Sequence, residues 1–139
     1  MKIKSIETKV HDTSFGGYPY KTVVIVEIET KEFNKKCPIT SPARSTICGR
    51  QPARRDLGNL VLEVNNAVYA LNSSIPAYNP SIDSKGGQRS KDGIKTMEFV
   101  YFFKDADTAE KLGLEVRRFK NGETMPVWGT HAVNFRGAV

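Results

Sequence analysis

Histidine, cysteine and long apolar runs are all scarce in this chain of 139 residues. His11 and His131 are the only histidines, Cys37 and Cys48 the only cysteines. No Cys-x-x-Cys or His-x-x-x-His spacing occurs, so a zinc site is not expected. No apolar run approaches the ~20 residues of a membrane span. The first residues, Met1-Lys2-Ile3-Lys4-Ser5, have no apolar signal core. A cytoplasmic protein with free thiols, no membrane contact, no metal and no cofactor is the expectation. No nucleophile elbow, Walker loop or dinucleotide glycine spacing is present either, so no complete catalytic motif can be assembled.

Another absence is local. Residues 33–55 contain no Asp or Glu, yet they hold Lys35, Lys36, Arg44, Arg50, Arg54 and Arg55. The chain has 21 Lys plus Arg against 15 Asp plus Glu, a net charge of +6. Without this segment bases and acids balance. The segment also contains Pro38, Pro42, Pro52, Gly49 and both cysteines, and it reads as a long basic loop. A second loop is expected at 78–93, with Asn79-Pro80, Gly86-Gly87 and the bases Lys85, Arg89 and Lys91.

What is present suffices for one core. At 39% hydrophobic and 26% charged, the composition is that of an ordinary globular protein, and the length suits a single domain over 1–139. Residues 2–10 suit an edge strand. Tyr20, Thr22, Val24, Val26 and Ile28 alternate along a strong strand, and the two are expected to pair as a hairpin. Leu57, Leu60, Val61, Val64, Val68 and Leu71 recur at helical spacing, with Asp56 at the start and Asn72, Ser73, Ser74 and Pro76 at the end. A strand over 94–103 places Met97, Phe99, Tyr101 and Phe103 on one face. Asp105 or Asp107 then caps a short helix ending at Gly113, Asn121-Gly122 marks a tight hairpin, and 131–135 reads as a last strand. The expected fold is α+β: an antiparallel sheet with one main helix packed on one face and a short second helix.

Two local resemblances bear on function. Lys95-Thr96-Met97-Glu98-Phe99-Val100-Tyr101-Phe102 resembles the third-strand motif of RNA-recognition-motif domains at its Lys, Phe, Val and final Phe. It departs from that family at Thr96 and Glu98, where the family carries small residues. Arg54-Arg55-Asp56-Leu57-Gly58-Asn59-Leu60 resembles the Arg-Asp-Leu-Asp-Asn-Leu motif of phage-type, RusA-like Holliday-junction resolvases, with Gly58 in place of the second acid. That resemblance would imply a magnesium-dependent nuclease, and two-metal chemistry needs clustered carboxylates. Neither family is adopted.

The residues themselves point first to a small non-enzymatic protein that binds nucleic acid, single-stranded DNA or RNA. Lys35, Lys36, Arg44, Arg50, Arg54, Arg55, Lys85, Arg89 and Lys91 are the expected phosphate contacts, and the basic loop delivers them to a helix N-terminus. Phe99, Tyr101 and Phe103 are the candidates for base stacking. Two alternatives fit the same charge: a protein-interaction module or inhibitor that presents the loop to an acidic partner, and a sponge for a small anionic nucleotide held between subunits of a homo-oligomer.

Overall fold

The computed structural model describes residues 1–10, 18–38, 53–75, 81–82 and 88–137. Four full strands run antiparallel in the order β5 (Ile94–Phe103), β2 (Tyr20–Glu29), β1 (Lys2–Val10), β8 (His131–Arg136). Two short strands, β3 (Ser81–Ile82) and β4 (Gln88–Lys91), both pair with β5. Since β2 occupies one side of β5 along its whole length, they share the other side. This is the α+β fold the sequence patterning predicts.

Alternation decides which face of the sheet is dry. Tyr20, Thr22, Val24, Val26 and Ile28 of β2 are all buried, and opposite them on β5 so are Met97, Phe99, Tyr101 and Phe103. Ile6 and Thr8 of β1 complete that face. Three helices cover it. The longest, α2 (Arg54–Leu71), contributes Leu60, Val64 and Val68 to the core, with Leu57 and Val61 partly buried. Tyr101 donates from its hydroxyl to Asn65 Oδ1 of this helix at 2.8 Å. Burial pushes that hydroxyl up to about 12, so it stays protonated and able to donate. The shorter α1 (Thr30–Lys36) buries Phe33, and α3 (Ala106–Lys111) buries Ala109.

The ends of α3 follow from its sequence. Asp105 accepts from the Asp107 amide at 3.3 Å and from the Thr108 hydroxyl at 2.7 Å. At the other end Gly113 N bonds Glu110 O and Leu114 N bonds Ala109 O, the paired closure of a Schellman cap, with Gly113 at φ +96°. A Cβ added at Gly113 would stand 3.0 Å from Ala132 Cβ on β8. Gly113→Ala is therefore expected to cost about 1–3 kcal/mol, through both left-handed backbone and crowding. A urea melt would show it, and an unchanged midpoint would mean that the cap is dispensable.

A buried polar chain ties the last strand down. The Thr8 hydroxyl donates to Asn134 Oδ1, so the Thr22 hydroxyl, 3.0 Å from that of Thr8, donates to Thr8. Asn134 in turn donates to Leu112 O at 2.8 Å. Beyond α3 the hairpin of β6 (Val116–Arg118) and β7 (Thr124–Pro126) forms its own small sheet around Asn121-Gly122, as its sequence predicts.

Several expectations are corrected. β1 is an interior strand, because β8 returns to pair along its free side. The basic segment starts as a helix rather than a loop: α1 runs to Lys36 because Phe33 finds a place in the core. Helix α2 is capped by Ala53, which places Asp56 in its first turn rather than at its start. Leu71 is exposed and lies outside the buried stripe. The stretch 78–93 is not simply a loop, since it contains β3 and β4. Asp92 and Gly93, at φ 55° and 76°, make a two-residue turn joining β4 to β5. Asp-Gly is a strong signal for that turn and could have been read from the sequence.

Candidate nucleic-acid interface

The expected phosphate contacts that are described fall on α1, α2 and β4. Arg44, Arg50 and Lys85 lie outside the described residues. Arg54 opens α2, and Arg89 lies on β4. Lys35, Arg55 and Lys91 are exposed. Lys36 is neutralised: its ammonium lies 2.8 Å from both carboxylate oxygens of Glu63 and 3.3 Å from Glu32. Its pKa is raised, first by the bond to Glu63 and further by Glu32. Glu32 of the same helix and Glu63 of α2 thus answer part of a charge that looked unopposed along residues 33–55.

The aromatic candidates are overturned outright. Phe99, Tyr101 and Phe103 are 0%, 1% and 2% exposed, beneath the helical layer. Tyr20 stacks on Phe103 at 5.5 Å between ring centroids. No base can reach these rings without unfolding the core. Cys37 is also buried and free, and burial, followed by the charge of Asp56, pushes its thiol up, so it is not an activated nucleophile.

The opposite face of the sheet presents a different set. No described helix packs on it, and its strands contribute the alternate residues: Lys9 of β1, Lys21 of β2, Phe102 of β5 and His131 of β8. Register places these four in one row, since Lys9 pairs with both His131 and Lys21, and Lys21 pairs with Phe102. Directly opposed residues of an antiparallel pair have Cβ atoms roughly 4.5–5.5 Å apart, and like charges so placed destabilise the sheet. Neither lysine has an ion-pair partner within 4.0 Å among the described residues. Glu7, on the same face, pairs with Val23 and is only a diagonal neighbour of Lys21.

The row ends at a cleft of ≈ 890 Å³ lined by Tyr18, Phe102, Phe103, Lys104, Asp105, Thr108, Arg118 and Thr124 among others. Tyr18 is 47% exposed, with the Lys104 ammonium 4.9 Å from its ring centroid. On the far wall Arg118 is held by Asp107 at 2.7 Å and by Glu110. Trp128 is 64% exposed at the same end of the sheet, in a turn where Thr130 N bonds Val127 O and Gly129 takes φ +80°. Thr130 O in turn accepts from Val10 N at 3.4 Å, which anchors the turn to β1.

This end of the sheet therefore brings together Lys9, Lys21, Lys104 and His131 with exposed Tyr18 and Trp128. None of these is among the binding residues expected from the sequence. Lys9 and Lys21 lie on the polar faces of two strands, and only the register of the hairpin between them sets them side by side. Among the described residues no helix is long and apolar enough to cross a membrane, and no group of three His, Cys, Asp or Glu side chains could hold a metal ion. Comparison with known proteins found no match to a family model, a curated protein or a solved structure.

Proposed function

We propose that this chain is a non-enzymatic protein that binds single-stranded nucleic acid along the Lys9–Lys21 end of the sheet face turned away from its described helices. The observation that carries the reading is the opposed pair Lys9 and Lys21, a repulsion built into adjacent strands that a bridging phosphate would relieve. His131 extends the row on one side. Beyond the other end Tyr18 and Lys104 offer a ring and a cation, the combination that accepts an unpaired base and its backbone. The basic segment 33–55 supplies further charge, with Arg44, Arg50 and Arg54 as added phosphate contacts for a longer strand. Helix α2 and the row lie on opposite sides of the sheet, so the two surfaces can be tested separately.

Fluorescence anisotropy with labelled single-stranded and duplex oligonucleotides tests the reading. Binding should favour the single strand and weaken linearly in log salt, with a slope near −0.7 per phosphate neutralised. No binding at low salt would overturn it. One observation favours a second reading, a sponge for an anionic nucleotide: the ≈ 890 Å³ cleft is of a size to enclose a small ligand. A thermal shift with a mononucleotide, together with indifference to oligonucleotides, would select that reading instead.

A further inference from the structure

Helix α2 has a second, outward line of residues with no packing role among the described residues. Gly58, Leu62 and Tyr69 are spaced by four and seven positions, so they stand one above another along the helix. Leu62 and Tyr69 are each 59% exposed. A Cβ built on Gly58 would meet nothing within 4 Å, so no packing among the described residues calls for a glycine there. Glycine within a helix nevertheless weakens it relative to alanine. Asn66 shares this exposed side, and the nearest carboxylate, Glu63, is engaged by Lys36.

The charges of the helix are also reversed with respect to its dipole. The first turn opens with Arg54-Arg55, at the positive end, against the single acid Asp56, and the last turn has no basic residue. A lone helix gains nothing from that order. Two antiparallel copies do, because each arginine-bearing end then lies against the negative, carbonyl-rich end of the other.

We infer that α2 pairs antiparallel with α2 of a second copy of this chain, with Tyr69 of each copy seated over Gly58 of the other. The spacing permits it. Gly58 and Tyr69 are eleven residues apart, about three turns or 16 Å. A two-fold axis midway between them exchanges the two positions, brings both Leu62 side chains to the centre, and sets Arg55 opposite the C-cap Asn72. The interface is isologous, the commonest way for a chain to close on itself. It lies on the helical side of the sheet, so both Lys9–Lys21 rows face outward and one strand could engage two of them.

Sedimentation equilibrium across a micromolar concentration series, on the full chain, is the test. The expected result is a monomer–dimer equilibrium whose Kd rises about tenfold or more in Leu62→Glu and in Tyr69→Glu, with the melting temperature unchanged at concentrations where the parent is monomeric, because both side chains stand in solvent on the single chain. Arg55→Glu should weaken the dimer more at low salt than at high. In a Cys48→Ser background, Gly58→Cys mixed with Tyr69→Cys should oxidise to a crossed dimer faster than either variant alone. A monomer throughout the series, or a dimer indifferent to Leu62→Glu and Tyr69→Glu, overturns the inference. Oligonucleotide affinity measured on the same variants at concentrations where they are monomeric keeps this result distinct from that of the binding surface.

Discussion

Phe99→Ala is expected to lower stability by about 3–5 kcal/mol, a large part of the roughly 5–15 kcal/mol available to a domain of this size. Phe99 is wholly buried at the centre of β5, opposite Val24, beneath the layer that holds Leu60, Val64 and Val68. Its removal deletes a large apolar surface and leaves a cavity that β2 and α2 cannot close without shifting. Urea denaturation would read the loss directly. The informative contrast is Tyr18→Ala, which removes a ring of similar size that is 47% exposed. That variant should melt within about 0.5 kcal/mol of the parent yet bind single strands more weakly, by roughly 1–3 kcal/mol per stacked base. If instead Phe99→Ala stayed folded and lost binding, Phe99 would be a stacking ring rather than a core side chain.

The contrast shows which kinds of information lay in the sequence. Elements with a one-sided pattern were legible: β2 keeps Lys21, Glu27 and Glu29 to one face around the apolar Val23 and Ile25, α2 carries its apolar stripe, Asp105 and Gly113 bracket α3, and Asn121-Gly122 turns the last hairpin. Strand β5 is different, because Val100 and Phe102 make its second face apolar too. Period-2 alternation then identifies two faces without saying which is inside. Pairing settled it, by setting Tyr20 against Phe103 and Asn65 beneath Tyr101. Helix α1 was hidden for a related reason: seven residues with a single core side chain, Phe33, make a helix only when a core is there to receive it. The neutralisation of Lys36 was equally non-local, since Glu63 lies 27 residues away. The candidate site was the least legible part. Lys9 and Lys21 become neighbours through the register of a hairpin, and a slip of one residue would have set Lys9 against a core position.

Because that register juxtaposes two like charges, Lys9→Ala combined with Lys21→Ala should move stability and binding in opposite directions. Removing the pair relieves a cross-strand repulsion worth roughly 0.2–1 kcal/mol, so the variant should melt slightly higher than the parent. The same change removes two cations from the proposed phosphate path, so the slope of log affinity against log salt should shrink by about 1.4, and affinity at low salt should fall at least about tenfold. Lys21→Glu sharpens the test. It places a carboxylate opposite Lys9, converting repulsion to attraction within the sheet while presenting a negative charge to any phosphate. This variant should be the more stable of the two and the weaker binder. A purely structural role for the lysines cannot produce that pairing of effects, because loss of a structural contact lowers stability. Equal affinity and an unchanged salt slope in both variants would remove the sheet face from consideration. Loss of binding on Arg54→Ala with Arg55→Ala, the row variants remaining unaffected, would return the interface to the basic segment and the N-terminus of α2.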